Sequence, residues 1–289
     1  MTTFGDNVYS NGGVLLGPSM GTAGVFGNTW FVDNSQSASG DGTGIGNKAV
    51  LTIAEAVALA SAGDTIYVRG TNTDYDESVT LSTAQVSLIG TGGHMMCGWN
   101  ADADATCLKI TALGCRVSGF LFRPDGATTG IAIDISEVTY NDVDGTVIDN
   151  NVFKSTGTTA AYAIFANGCP AYVKVYNNHF TWINTGIGAT SAPNTSATGW
   201  EVIDNYFSRE CVNGIYMPFR RTVIRGNAFE CTTIACDTVG YSATNGDYNN
   251  VYMNQLSGTY ATTCEAQTND SWAGNWNELS GGVTAANPG

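Results

Sequence analysis

With 289 residues, 43% of them hydrophobic and only 12% charged, the chain has enough apolar content for a long core and too little charge for a disordered polymer. Eleven basic residues against twenty-five acidic ones, a net charge of −14, argue against DNA or RNA as a partner, because phosphate binding needs clustered cations.

Residues 1–28 form a glycine-rich arm with isolated apolar residues, among them Phe4, Val8, Leu15 and Leu16. Such a segment is expected to be extended and to need another surface to order it. No basic start precedes an apolar run and no stretch approaches a membrane span, so neither general export nor membrane insertion is expected. Residues 29–62 hold an entry strand (TWFVDN), a Gly/Ser loop and a helix at 49–62. Thr52 and Glu55 make a capping box, Ile53, Val57 and Ala60 make one apolar face, and Gly63 suits the C′ position. Placed just ahead of a run of strands, this helix is expected to cover an open strand edge.

From 63 to 280 the chain repeats. VIDNNVF (147–153), VKVYNNHF (173–180), EVIDNYF (201–207) and VIRGNAF (223–229) share one pattern, which weakens in NVYMNQL (250–256) and GNWNEL (274–279). Its Asn column reads Asn151, Asn178, Asn205, Asn227, Asn254 and Asn277; the apolar column Ile148, Val175, Val202, Ile224 and Val251 extends upstream to Val117 and Val86. A second apolar run follows each motif: GIAIDI, YAIFAN, GIGAT and GIYMP. Self-similarity at this period, made of short β-rich runs between Gly, Asn, Ser and Thr, implies a solenoid of strands. The expected fold is all-β, a single right-handed parallel β-helix of about nine coils spaced roughly 4.8 Å apart, with residues 281–289 as a tail. The Asn column then reads as a ladder of amides stacked at one corner.

The succession TWFVDNSQSASGDGTG, TIAEAVALASAGDTIYVRG and SVTLSTAQVSLIGTG resembles the opening of pectin-lyase-like right-handed β-helix proteins over residues 29–280. Residues 1–92 further resemble short β-helix proteins of tailed bacteriophages and viral contigs. That resemblance implies a non-enzymatic virion protein, a capsid decoration or head fibre held to a virion protein by its arm, a homotrimer assembled in host cytoplasm. It also admits a tailspike-like polysaccharide depolymerase or lyase, or a carbohydrate-binding or filament-forming β-helix touching a surface glycan.

Glycoside cleavage needs carboxylates facing a sugar. Asp149, Glu201, Asp204 and Arg225, on or beside the first strand of the repeat, are the catalytic candidates. Against them, Lys174 and Glu201 occupy one repeat position on adjacent coils and read as an ion pair. The lyase Arg-x-Pro-x-x-Arg signature that the resemblance would require is absent, MPFRR (217–221) having the wrong order, and TWIN (181–184) is not Trp-Ile-Asp-His. His94 and His179 build no zinc site or triad, the Asp33–Gly46 loop lacks EF-hand spacing, and the eight Cys contain no Cys-x-x-Cys, so no metal and no cofactor is expected. Cys211 with Cys231 and Cys236 with Cys264 fall at neighbouring coil positions and read as interior thiols. Among the tryptophans, exposed ones would suit sugars, whereas Trp200 at a strand start reads as packing.

Overall fold

The computed structural model describes residues 27–93, 95–102, 104–124, 129–137, 142–155, 162–168, 170–190, 197–239, 247–256, 264–266, 268–277 and 282–284. Phe4, Val8, Leu15 and Leu16, expected from the sequence to anchor the arm, lie outside them, as do His94 and Cys169. The chain passes repeatedly through three long sheets. A first sheet of ten strands runs from Thr29–Val32 to Ser271–Ala273, and a second of ten from Tyr75–Asp76 to Gly282–Thr284. A third, of eight strands, runs from Val79–Leu81 to Cys264–Glu265. In each sheet successive strands come from successive turns of the chain and lie parallel; in the second, Gly282–Thr284 closes the end antiparallel to Asn275–Asn277. The fold is a parallel β-helix.

The repeat makes the interior. Ile66, Leu88, Val117, Ile148, Val175, Val202, Ile224, Val251 and Trp272 stand in register along the first sheet, all buried. The upstream member is therefore Leu88 and not Val86: the hydrophobic pattern VSLI fits two registers, and strand pairing selects the later one. In the second sheet Phe122, Phe153, Phe180, Phe207 and Phe229 stack with centroid separations of 5.4, 4.9, 4.4 and 4.6 Å. Each fully buried ring contributes about 1.5–3 kcal/mol, and each stacked pair adds about 0.5–1.5 kcal/mol. Leu108, Ile133, Ile164, Ile187, Ile215, Cys236 and Cys264 complete the core from the third sheet.

Two sharp corners turn the chain, and each uses a left-handed residue. Between the first and second sheets Gly119, Asn150, Asn177, Asp204, Gly226, Met253 and Gly274 have φ between 53° and 84°. From Asn150 onward the next residue is a buried Asn. Asn178 is typical: its Nδ2 donates to the Ile148 carbonyl at 2.9 Å and to Asn205 Oδ1 at 3.0 Å, while its backbone N–H reaches the same Oδ1 at 2.9 Å. The ladder runs through Asn151, Asn178, Asn205, Asn227 and Asn254 and ends on Asn275, not Asn277. Asn277 pairs with Leu256 and so takes the place of the closing apolar residue. Left-handed Gly274 decides the matter, because the ladder amide must directly follow the corner residue.

The second corner, from the third sheet back to the first, turns at Gln85, Gly114, Gly145, Tyr172, Gly199, Arg221 and Tyr248, with φ between 53° and 70°. Here a shorter polar stack comes next: Thr222 N–H donates to Asn249 Oδ1 at 3.0 Å, and Asn249 N–H and Nδ2 both donate to Asp270 Oδ1 at 2.9 Å.

The helix spans Ile53–Leu59, shorter than the expected 49–62. The Thr52–Glu55 capping box is present, Glu55 N–H donating to Thr52 Oγ1 at 3.1 Å and Thr52 N–H to Glu55 Oε2 at 3.0 Å. Ala60 is already extended, so Gly63 is not C′; its φ of +88° belongs to the turn into Asp64. The Asp64 carboxylate accepts from the N–H groups of Asn28 and Ser61 and from the Trp30 indole, which ties the strand before the helix to the turn after it. Seven cysteines, Cys97, Cys107, Cys115, Cys211, Cys231, Cys236 and Cys264, are buried as free thiols, and burial pushes Cys97 and Cys107 up to about 12. Such thiols are packing groups.

Candidate functional site

On the outer face of the first sheet, strand register gathers most of the residues that the sequence marks. Asp149 is buried and held bidentately by Arg116, with Nε–Oδ1 and Nη2–Oδ2 both 2.8 Å, and Ser118 adds a third donor at 3.1 Å. Lys174 pairs with Glu201 at 3.2 Å, as their shared repeat position implies, and the Tyr176 hydroxyl donates to the same carboxylate. The Tyr176 hydrogen bond, outweighing partial burial, holds Glu201 below the usual carboxylate range, with Lys174 and Arg225 assisting. Burial, and then Glu201, pushes the Tyr176 phenol up. Arg225 stands on the next strand but one from Tyr176, whereas Asp204 sits exposed at the ladder corner, off the sheet. Of the four candidates, then, Glu201 and Arg225 share one patch, Asp149 is locked in an ion pair two coils from Glu201, and Asp204 turns the chain. Carboxylates so engaged are suited to holding a surface together more than to exchanging protons.

The outer face of the third sheet carries a group that the sequence pattern did not single out. Along one row of the register stand Lys109, Asp134, Phe165, Gly188, Tyr216, Asp237 and Glu265. Gly188 stands between Phe165 and Tyr216, which are two strands, roughly 10 Å, apart. Tyr162 packs on Phe165 with centroids 4.8 Å apart, and with Thr185 it fills the space over Gly188: a Cβ there would come within 3.1 Å of the Tyr162 ring and 2.7 Å of Thr185 Cγ2. All three aromatic residues are half-buried. Acidic groups flank them: Asp134, 3.9 Å from Lys109, at one end, and Asp237 and Glu265 on neighbouring strands at the other. Asp237 is buried and takes the Val239 N–H at 2.8 Å. These residues sit inside YAIFAN, GIGAT and GIYMP, whose inward members had announced a strand; only the alternation of faces along each run could have pointed to the outward ones.

Elsewhere, the His179 ring packs tilted by 47° against Tyr206 at a centroid distance of 4.9 Å, and Tyr206 donates to Glu230 at 2.9 Å. Trp200 is buried and donates to the Pro170 carbonyl at 2.6 Å, Trp272 is buried, and Trp182 and Trp276 are exposed. The Asp33 carboxylate is taken up by Ser35, Gln36 and Arg69; burial raises its pKa, but these hydrogen bonds outweigh burial and leave it at about 2. Among the described residues no group of three or more His, Cys, Asp or Glu is placed to hold a metal ion, and no helix is long and apolar enough to cross a membrane.

No family model matches the chain, and no curated protein does. Solved structures do. An alginate lyase from Paenibacillus sp. is similar over 81% of this chain and 95% of its own, with a TM-score of 0.52 at 12% identity. The pectin methylesterase of Aspergillus niger (89% and 86%, TM-score 0.47, 12% identity) and PemA of Erwinia chrysanthemi (92% and 86%, 0.43, 13%) are more distant in shape. The structural neighbours are pectin-lyase-like parallel β-helix proteins, and at this identity the likeness is one of fold.

Proposed function

We propose that the protein binds a polysaccharide along the outer face of its third sheet. The observation that carries this reading is the half-buried aromatic group of Phe165, Tyr162 and Tyr216 about Gly188, bordered by carboxylates. A sugar ring has an apolar C–H face and an equatorial rim of hydroxyls; flat aromatic side chains meet the first, and Asp134, Glu265 and Lys109 meet the second. The fold likeness to an alginate lyase supports the same class of ligand. Cleavage would call first on Glu265, the exposed carboxylate of this row. The test is to titrate the full chain with a panel of neutral and uronate polysaccharides while monitoring reducing ends and unsaturated products. Binding to at least one, weakened in Tyr216→Ala, is the expected result; no binding to any member overturns the reading. Product formation lost in Glu265→Gln would make the protein a depolymerase, and binding without product a carbohydrate-binding β-helix.

The finer architecture proposed with it is a right-handed rod of about nine coils, its N-terminal end shielded by the helix at Ile53–Leu59, whose buried Ile53 and Ala56 support that role. The virion role, with residues 1–28 as anchor and a trimeric assembly, rests on the resemblance of residues 1–92 alone. A chain beginning at Asn28 that still joined its particle at full occupancy would overturn the anchor.

A further inference from the structure

We propose that Tyr172, Arg221 and Tyr248 form a second glycan-binding surface, a row along the axis at the corner that enters the first sheet; the proposal rests on the polysaccharide reading of the third sheet and extends it to long chains. These three residues occupy equivalent places. Tyr172 N–H bonds to the Thr198 carbonyl, Gly199 N–H to that of Arg220, and Arg221 N–H to that of Asp247, so the positions 172, 199, 221 and 248 succeed one another coil by coil. All four are left-handed, with φ of 57°, 69°, 53° and 63°.

Glycine adopts that conformation freely, and it is glycine that stands here at 114, 145 and 199. Other L-residues are strained in it, because Cβ crowds the backbone. Neither tyrosine offsets this strain by burying its ring in the core: Tyr172 is 60% exposed and Tyr248 55%. Arg221 is exposed as well. Strain and exposure together on two tyrosines and an arginine of one row make these side chains candidates for contact with a partner. Gly199 adds a second indication. A Cβ there would come within 2.8 Å of the Tyr172 ring, so the glycine leaves room for that ring to pack on the corner. The resulting row is ring, glycine, guanidinium, ring.

Its dimensions define the ligand. Tyr172 and Tyr248 are three coils apart, roughly 14 Å, on a backbone pinned by these coil-to-coil hydrogen bonds. An extended sugar chain laid along the axis could place C–H faces on both rings. Between them the five N–H donors of Arg221 could take hydroxyl or carboxylate oxygens. The row flanks the third-sheet aromatic group in the chain: Phe165 precedes Tyr172 by a few residues, and Tyr216 precedes Arg221 in the same coil. A polymer engaging both would bind more tightly than a short fragment.

The test compares full-length Tyr172→Gly/Tyr248→Gly with Tyr216→Ala, using the polysaccharide bound by the parent and oligosaccharides of it too short to reach both surfaces. Glycine suits both left-handed positions, so the double variant should fold at least as stably as the parent, which denaturant unfolding checks. The double variant is expected to weaken binding of the long polymer by about tenfold while leaving short-fragment affinity unchanged. Tyr216→Ala should weaken both. If the double variant binds the polymer as the parent does and Tyr216→Ala does not, the corner row is overturned and the polysaccharide reading stands. If the parent binds no polysaccharide, both fall.

Discussion

The two corners of this β-helix are built from the same backbone device and put to different uses. Each turns on one left-handed residue, and the residue after it leads into the next strand. At the first corner the turning residues are almost all Gly, Asn or Asp, the types that tolerate the conformation, and the residue after them is Asn in six successive coils. At the second corner the turning residues include Gln85, Tyr172, Arg221 and Tyr248, and the residues after them are as different as Val173, Trp200, Thr222 and Asn249. One corner is constrained by the interior, and the other has side chains that the fold does not require.

Four changes would break or sharpen this contrast. Phe180→Ala removes the middle of the ring stack and should cost about 3–5 kcal/mol, seen as a lowered midpoint in guanidinium unfolding with little change in slope. Asn205→Ala deletes the central rung; the Asn178 N–H and the Val175 carbonyl lose their partner, and a loss of about 2–3 kcal/mol is expected in the same assay. A value near zero would mean that the ladder is ornamental. Asp33→Asn tests the ends against the middle by pH. The folded-state pKa of Asp33 lies at about 2, below the ordinary value of 3.8, so its contribution is present above that ordinary value and fades as pH falls through about 2. The variant should therefore lose stability relative to the parent at pH 6, and the difference should shrink as the pH is taken down toward about 2. Smallest in effect, and opposite in sign, Met253→Gly relieves the one poorly suited residue at the first corner and should raise stability by about 1 kcal/mol.

Much of the fold was legible because buried side chains in a β-helix must match the coil above and below. Ile148, Val175 and Val202, or Phe153, Phe180 and Phe207, can stack only if the sequence repeats them. Legibility failed where two residues met the same pattern: Asn275 and Asn277 both precede a plausible partner, and only the handedness at Gly274 separates them. The Thr222–Asn249–Asp270 stack was illegible for a related reason, since three different residue types perform one hydrogen-bonding task. The candidate site was less legible still. Phe165, Gly188 and Tyr216 are outward residues under no obligation to repeat, and their adjacency is a product of register, not of spacing. Asp149, Glu201 and Arg225 were conspicuous as charges, and the structure accounts for two of them as ion-pair members.

The amide ladder has steps of 27, 27, 22, 27 and 21 residues, yet its rungs meet at nearly constant distances of 2.9–3.2 Å. A rung senses only the rung on either side of it and is indifferent to the length of chain spent between them. Whole coils can thus be treated as interchangeable parts with standard fittings: a coil of 22 residues can be duplicated, or one of 27 removed, at a ladder Asn without disturbing the joints on either side. The molecule's length is in that sense a variable, open to gene duplication and to the protein engineer alike.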